Sequence, residues 1–320
     1  MTTTRPVSLS VVLCTCNRAL QLERTLDSLN ALTLPASTPV ELVVVNNNSR
    51  DATPDVCRAF ASRARLPYRW VTETRQGLSH ARNRGMSEAT GSVVIFTDDD
   101  ITVPVDWAQG YAATFIAYDA DSVFGRIVPE WGGERPAWYH PKFSAIYGAL
   151  DYGSTPFIVR TRNFEFFGAN FACRKDVLQA VGGFDPRLGR TPDALYISEE
   201  RKIFLNLIAG GATIVYQPSL VVHHHISAEM KTKAYVKRYF RDTAQSLVNI
   251  TAIDSRRQFL GIPYYRWYEA ARTLGLFGPR AVSQLITGRW MGLFPLRLEL
   301  TRTLRMLWLY FGQRGRRPGN

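Results

Sequence analysis

The chain has 320 residues, of which 46% are hydrophobic and 21% are charged. This length and balance fit one large or two modest folded domains and exclude long disordered, collagen-like or low-complexity segments. The net charge of +12 is unevenly distributed, because residues 231–320 hold 17 Lys/Arg and 4 Asp/Glu while residues 1–230 hold 22 and 23. A partner that carries phosphates, either a nucleic acid or an anionic membrane, is therefore expected at residues 231–320.

Two further features of the sequence bear on its compartment. It contains no run of about 18 apolar residues that could cross a membrane, and its polar start does not resemble a signal peptide. The cysteines, which are Cys14, Cys16, Cys57 and Cys173, are too few for a disulfide framework and are interpreted as small buried side chains. These features predict a protein of the reducing cytoplasm.

Short β-branched runs alternate with helical patterns up to about residue 100. Strands are predicted at 8–13, 41–45, 68–72 and 92–97, and helices at 19–32, 53–64 and 78–89. Such alternation predicts an α/β fold with right-handed crossovers and a doubly wound, mostly parallel sheet. Ligands of these sheets bind beyond the carboxyl ends of the strands, which is where the polar clusters of this chain occur.

Beyond residue 100 the pattern becomes mixed. Strands are predicted at 122–128, 170–173 and 213–217, and helices at 175–181 and 199–209. The segment 129–155 between them is predicted to be irregular, and its Trp131, Trp138 and Tyr139 suit sugar stacking and core packing equally well. From about residue 227 the chain is expected to be helical.

The segment Asp98-Asp99-Asp100 directly follows the strand predicted at 92–97. Three adjacent carboxylates repel one another unless a cation lies among them, and Mg²⁺ and Mn²⁺ prefer such oxygen ligands together with substrate phosphates. The alternative is a solvated acidic turn. We favour the metal site because the triplet follows a buried strand of a nucleotide-type sheet.

Two polar loops follow the first two strands. Thr15-Cys16-Asn17-Arg18 and Asn46-Asn47-Asn48-Ser49 place amides and hydroxyls where a nucleobase and a ribose could be bound. Neither loop contains the glycine pattern of a dinucleotide-binding fold or a P-loop. Ordinary turn and capping chemistry is the alternative interpretation.

These motifs occur in the order found in family-2 glycosyltransferases, which have the GT-A fold. The resemblance covers about residues 7–226 and continues through Gly77, Ala81-Arg82-Asn83, Gly168-Ala169-Asn170, Gly182-Gly183-Phe184-Asp185 and Glu199-Glu200 to the histidines 223–225. It implies an inverting sugar transfer from a nucleoside-diphosphate sugar, usually a UDP-sugar, to an acceptor hydroxyl. In the second loop this chain has asparagines where many relatives have an aspartate.

The resemblance also implies which residues bind the donor. Arg75 and Arg82 would face the diphosphate, and the small Gly168 would let the donor sugar approach closely. The complete nucleotide-sugar set is Thr15, Asn17, Arg18, Asn46, Asn47, Asn48, Ser49, Arg75, Arg82, Asn83, Asp98, Asp99, Gly168 and Asn170.

By the same resemblance, Asp100 would bind the divalent metal, with Asp98 directed toward the ribose or the metal and His224 closing the site. Glu200 matches the position usually assigned as the catalytic base, beside Glu199, where the family usually has Glu-Asp. Two glutamates that merely favour a helix N-terminus are the alternative.

The C-terminal part is predicted to be a basic helical extension. Pro295 is expected to open an amphipathic helix to about residue 311, with Leu296, Leu300, Leu304 and Leu307 opposite arginines, and Arg314, Arg316 and Arg317 follow it. Basic amphipathic helices suit anionic membrane surfaces, whereas packing on the catalytic domain is the alternative. A nucleic-acid partner is excluded because the sequence has no recognisable motif of a nucleic-acid-binding domain.

From these observations we predict a catalytic domain at 1–230, with a nucleotide-binding half at 1–103 and an acceptor half at 104–230, and an extension at 231–320. A lipid-linked or glycan acceptor used in polysaccharide biosynthesis at the inner face of the cell membrane would fit this organisation. The alternatives are a sugar nucleotidyltransferase, which usually has a Gly-rich, Lys-containing loop that is missing after the first strand, and a non-catalytic glycan- or nucleotide-binding protein.

Overall fold

The computed structural model describes residues 5–191, 194–195, 198–254, 258–260, 262–287 and 293–314. The chain forms two compact units. The first comprises Met1–Gly132, Tyr147–Pro192 and Glu199–Ile226, and the second comprises Gly133–Ile146, Asp193–Ser198 and Ser227–Asn320. Two short segments from the first 230 residues therefore belong to the second unit, an arrangement that the predicted division of the chain did not include.

The first unit begins with alternating strands and helices, as predicted. The strands are β1 (Leu9–Thr15), β2 (Val40–Asn46), β3 (Tyr68–Thr72) and β4 (Val93–Asp98), and the helices are α1 (Ala19–Asn30), α2 (Thr53–Ala61) and α3 (Leu78–Glu88). The strands pair in parallel in the order β3-β2-β1-β4. Every residue of β1 is buried, because helices cover both faces of a parallel sheet.

The register of this half brings three strand ends to one edge of the sheet. Thr15 at the end of β1 lies opposite Asn46 at the end of β2, and Cys14 lies opposite Asp98 at the end of β4. The two polar loops and the aspartate triplet therefore start at the same edge, as expected of parallel strands.

The rest of the first unit is mixed, as predicted. It contains β5 (Ile101–Thr102), α4 (Trp107–Tyr118), β6 (Ser122–Glu130), β7 (Phe157–Ile158), β8 (Phe171–Arg174), α5 (Lys175–Ala180), α6 (Glu199–Ala209) and β9 (Ile214–His225). Strand β8 is antiparallel to β4 and β6, whereas β6 and β9 are parallel. Within the described residues the sheet has nine strands, and the predicted α/β, doubly wound fold class is confirmed.

The two-residue strands β5 and β7 were not predicted. Two longer elements also differ from the predictions, for physical reasons. Helix α4 was missed because it carries apolar residues on most sides, so no amphipathic period is visible. Strand β9 was predicted to end at residue 217, but it continues to His225. The residues 218–220, which begin with a proline, form an irregularity opposite Gly125 and Arg126, after which the pairing with β6 resumes.

The second unit is helical, with α7 (Lys233–Asp254), β10 (Gln258–Phe259), β11 (Ile262–Pro263), α8 (Tyr264–Ile286) and α9 (Leu293–Arg314). Its small core consists of Ala244, Val248, Ile262, Met306 and Tyr310. The two-residue strands β10 and β11 were not predicted. Across the described residues, no helix combines the length and the apolar character that a membrane span requires.

Helix α9 lies where a helix was predicted, but the residues that it buries differ from the predicted apolar stripe. Leu296 is buried, whereas Leu304 of the same predicted apolar stripe is half exposed. The apolar side is therefore not one continuous surface turned toward a partner. Arg316 and Arg317, which were predicted to follow this helix, lie outside the described residues.

Candidate active site

The first and second polar loops hold each other in place. Asn17 and Asn48 both have left-handed backbones, with φ of 55° and 56°, a conformation that asparagine tolerates. The Oδ1 of Asn17 accepts the backbone N–H of Arg50 at 2.7 Å, and the backbone N–H of Asn17 donates to the Oγ of Ser49 at 2.9 Å. These bonds join the two loops into one wall at the strand ends.

The asparagine side chains of the second loop form hydrogen bonds mainly with other groups of the protein. Asn46 Oδ1 accepts the N–H of Ser49 at 3.1 Å. Asn47 is buried, and its amide bonds the carbonyls of Glu73 and Arg75 and the N–H of Gly77. The prediction that Asn47 contacts the nucleotide through its side chain is therefore corrected: this amide fixes the loop after β3.

Arg75 also differs from the prediction that it faces a diphosphate. Its guanidinium pairs with Glu73, with Nη2 2.9 Å from Oε2. The hydrogen bonds from Arg75 lower the pKa of Glu73 to about 2. Arg75 is therefore already paired with a carboxylate in this loop.

The aspartate triplet is paired with a cation of the protein, Arg18. Asp99 and Asp100 are buried, and Arg18 Nη1 lies 3.2 Å from Asp99 Oδ1 and 2.5 Å from Asp100 Oδ2. Burial raises the pKa of Asp99 to about 7. For Asp100 burial acts in the same direction, but His224 and Arg18 outweigh it and hold its pKa well below the ordinary value. Asp100 is therefore the ionised member of this pair.

Strand β9 directs one of its three adjacent histidines toward Asp100. His224 Nε2 lies 3.3 Å from Asp100 Oδ1, and His224 Nδ1 lies 2.8 Å from the carbonyl oxygen of Tyr147, to which it donates. The neighbouring rings point elsewhere, because side chains alternate along a strand: His223 contacts Glu130 and His225 contacts Thr102. Although burial opposes it, Asp100 raises the pKa of His224 to about 9.

The donor set at Asp100 and His224 suits a divalent metal. A carboxylate oxygen and an imidazole nitrogen converge there, and the bond of His224 Nδ1 to a carbonyl is the usual outer support of a metal-binding histidine. The described residues contain no group of three or more His, Cys, Asp or Glu side chains able to hold a metal. Two protein ligands would therefore have to be completed by substrate phosphates or water.

A second cation, Arg82 of α3, links the aspartates to the glutamates. Its buried side chain places Nη1 3.0 Å from Glu199 Oε1 and 2.8 Å from Glu200 Oε1, and Nη2 3.4 Å from Asp98 Oδ1. The resemblance implied that Arg82 faces a diphosphate. In the structure the guanidinium lies among the carboxyl groups of Asp98, Glu199 and Glu200, and its contact with a diphosphate stays a prediction.

Gly168 lies directly against the side chains of Arg82 and Glu200, where a larger residue would not fit. Its backbone N–H donates to Glu200 Oε1 at 3.2 Å. A Cβ at Gly168 would collide with the Arg82 guanidinium and would lie 2.7 Å from Glu200 Oε1. Arg82 and Glu200 therefore occupy the space beside Gly168, and the expectation that this glycine lets a donor sugar approach closely stays a prediction.

The two glutamates at the start of α6 have shifted pKa values. Burial and the neighbouring charge of Glu200 raise the pKa of Glu199 well above its ordinary value. Burial also acts to raise the pKa of Glu200, but Arg82 and the backbone hydrogen bond outweigh it and keep this pKa below its ordinary value. The pKa values of these two adjacent carboxyl groups are therefore shifted in opposite directions.

Two predicted donor-binding asparagines have structural contacts instead. Asn170 is buried; its Oδ1 accepts bonds from Trp107 and Tyr111, and its Nδ2 donates to the carbonyls of Arg126 and Leu220. All its hydrogen-bonding positions are used, so the predicted sugar contact is corrected. Asn83 bonds both the N–H and the carbonyl of Phe184 and so holds that turn.

We expect Asn170→Ala to lower the free energy of unfolding by about 3 kcal/mol, because four buried polar groups lose their partner. Urea unfolding of the variant would measure this change. The matched control is Asn163→Ala at an exposed position, which should change stability by less than about 0.5 kcal/mol. Equal stabilities of the two variants would contradict this interpretation of Asn170.

Sequence reasoning missed several of these partners. Glu73, whose carboxylate holds Arg75, had no motif signal, and the Tyr147 carbonyl lies in a segment without regular periodicity. The Arg18 contact joins residues 82 positions apart in the chain, so only the fold reveals it.

Comparisons with known proteins show the family of this chain. The family model described as "Glycosyl transferase family 2" matches residues 10–182. The chain is 28% identical over 224 residues to the glucosyl-dolichyl phosphate glucuronosyltransferase of Haloferax volcanii, covering 69% of this chain and 70% of the relative. It is 25% identical over 236 residues to the succinoglycan biosynthesis protein ExoM of Rhizobium meliloti, covering 73% and 72%.

Solved structures show the same fold at low sequence identity. The mannosyltransferase PcManGT from Pyrobaculum calidifontis, in complex with GDP-Man and Mn²⁺, matches with a TM-score of 0.62 and 20% identity over 95% of this chain and 86% of that one. S. aureus TarS 1-349, in complex with UDP-GlcNAc, matches with a TM-score of 0.55 and 18% identity over 78% and 68%. The family model spans more than half of the 320 residues, and this chain therefore belongs to glycosyl transferase family 2 and is a glycosyltransferase.

Proposed function

We propose that this glycosyltransferase moves a sugar from a nucleoside-diphosphate sugar, most consistent with a UDP-sugar, to a hydroxyl of a glycan or lipid-linked acceptor with inversion. One observation carries the proposal: Arg82 joins Glu200 to Asp98, so the ionised glutamate and the aspartate cluster belong to one site. A carboxylate base and a diphosphate-binding group must be adjacent for this reaction.

In this proposal Glu200 is the base. Its Oε1 is held by Arg82 and by the Gly168 N–H, which fixes the orientation of the carboxylate. The other oxygen takes the proton of the acceptor hydroxyl while the hydroxyl oxygen forms a bond to the anomeric carbon. The bond between that carbon and the diphosphate oxygen breaks, and the electron pair leaves with the nucleoside diphosphate.

Asp100 and His224 are the residues that would hold Mn²⁺ or Mg²⁺, and Asp98 lies beside them for the ribose or the metal. A bound divalent ion supplies stabilisation for the charge that develops on the leaving diphosphate. Arg18 forms ion pairs with Asp99 and Asp100, and we assign it to the phosphates as a second positive charge.

The nucleoside is proposed to bind at the wall made by the first two loops. Thr15, Asn17, Asn46, Asn48 and Ser49 lie at the strand ends that form this wall. In this scheme residues 1–103 bind the donor and residues 104–230 bind the acceptor.

The acceptor class is proposed from two features. The Haloferax volcanii relative is named for glucosyl-dolichyl phosphate, which is a lipid-linked sugar. Residues 231–320 carry a net charge of +13. Both support a peripheral location on the anionic inner face of the cell membrane. The name of the Rhizobium meliloti relative, a succinoglycan biosynthesis protein, supports a role in surface-polysaccharide assembly.

A thermal-shift screen of UDP, GDP, ADP and CDP, each with and without Mn²⁺, tests the donor assignment. Nucleotide at about 100 times its Kd stabilises by about 2.7 kcal/mol, which corresponds to a Tm rise of about 5 °C. We expect the largest rise with UDP and only in the presence of Mn²⁺. No shift with any nucleotide would overturn the proposed site, and a metal-independent shift would overturn the metal assignment.

A further inference from the structure

Helix α8 is packed on one side only. Of its 23 residues Tyr264–Ile286, Ala270 is the buried one among the described side chains. Trp267 packs against the small core of the second unit, and its ring centroid lies 6.2 Å from that of Phe311 in α9. This side faces the other helices of the unit.

Next to this packed side, α8 has an apolar sector that is exposed. We define the α8 apolar face by six residues, whose exposed fractions are 59% for Tyr264, 69% for Tyr268, 44% for Leu274, 53% for Val282, 44% for Leu285 and 80% for Ile286. At 100° per residue these positions fall within a sector of about 120°. The other positions in this sector are Trp267, Ala271, Gly275 and Gly278, so the sector contains no charged side chain.

Charged residues of α8 lie outside this sector and are mostly basic. Arg272 and Arg280 are exposed, whereas Glu269 is the acidic residue of the helix. Over residues 231–320 there are 17 Lys/Arg and 4 Asp/Glu. A second copy of the chain would bring two such positive regions together, which disfavours self-association through this face. An anionic bilayer supplies both an apolar phase and the opposite charge.

We propose that the α8 apolar face inserts into the headgroup region of an anionic bilayer, with the helix lying in the membrane plane. An amphipathic helix with tyrosines at one end and arginines outside its apolar sector has the composition of interfacial membrane anchors. The inference refines the proposed membrane location, on which it rests, and it names a helix different from the one at 295–311 that the sequence indicated. In α9 Leu296, Met306 and Tyr310 are buried, whereas Leu304, Trp308 and Phe311 are exposed at 50%, 68% and 45% and are available to the same bilayer.

Vesicle flotation with the full chain tests this inference. The probes are vesicles of 70% phosphatidylcholine with 30% phosphatidylglycerol and vesicles of phosphatidylcholine alone. We expect the Tyr268→Ser/Val282→Ser/Ile286→Ser variant to bind the anionic vesicles at least about tenfold more weakly than wild type, because three exposed apolar side chains no longer enter the bilayer. Wild type should bind the neutral vesicles more weakly than the anionic ones.

The matched control removes equally exposed apolar side chains from the first unit. Leu20→Ser/Val105→Ser/Ile116→Ser changes residues that are 81%, 55% and 47% exposed, and it should bind vesicles like wild type. The single variant Ile286→Ser, at an 80% exposed position, keeps the test valid if the triple variant fails to fold. It should show a smaller loss in the same direction.

Vesicle binding by the triple α8 variant at the wild-type level would overturn the inference. So would a wild-type dimer in sedimentation that the α8 substitutions dissociate without changing vesicle binding. The nucleotide thermal shift is measured on the same samples. A lost shift with intact α8-dependent vesicle binding refutes the proposed sugar transfer alone, whereas an intact shift without vesicle binding refutes the membrane inference alone.

Discussion

The Glu200→Gln variant is expected to lower kcat for sugar transfer by about 10²–10⁴-fold, the range for loss of a general base. The amide has nearly the same shape and its oxygen can still accept bonds from Arg82 and the Gly168 N–H, but it cannot take the acceptor proton. Release of nucleoside diphosphate in the presence of the donor identified by the nucleotide screen measures the loss. The metal-dependent nucleotide shift should persist, which separates a chemical defect from a binding defect.

Glu199→Gln is the matched control at the adjacent position. Burial raises the pKa of Glu199 and so favours its uncharged form, which makes an uncharged amide the conservative replacement, and its buried Oε2 has no hydrogen-bond partner among the described residues. We expect kcat within about tenfold of wild type, well above that of Glu200→Gln. Equal losses in the two variants would contradict the assignment of Glu200 alone as the base.

Asp100→Ala is the second substitution with a large expected effect. It should remove the Mn²⁺-dependent nucleotide shift and lower transfer by about 10²–10³-fold, the range for loss of one electrostatic stabiliser of the developing charge. The physical reason is that Asp100 is the ionised carboxylate at which His224 and Arg18 converge. Titration with Mn²⁺, followed by the electron paramagnetic resonance of the free ion, measures the metal affinity directly.

The matched control for Asp100 removes an exposed carboxylate that does not belong to the aspartate triplet. Asp55 forms an ion pair only with exposed Arg58, and such pairs contribute about 0–1 kcal/mol. Asp55→Ala should therefore keep both metal affinity and transfer. Wild-type metal affinity in Asp100→Ala would refute the assignment of the metal to Asp100.

The sequence by itself determined the framework of this protein. The four N-terminal strands and three helices appear within a few residues of their predicted bounds, because apolar periodicity and turn residues act locally. The ordered motifs identified the family that the family model matches. The placement of polar groups at strand ends followed from parallel pairing, which forces those ends to one edge of the sheet.

The tertiary structure alone decided which polar side chains are available to a substrate. Asn47 and Asn170 carry the residue type expected at a binding site, yet the fold uses their amides to satisfy buried backbone and side-chain groups. Arg82 and Glu200 are 118 positions apart, so no local pattern predicts their contact or the resulting pKa of each glutamate. The same holds for α9, whose buried side depends on α7 and α8 and not on its own periodicity. Burial and long-range pairing determine hydrogen bonding and charge, and both depend on residues distant in the chain.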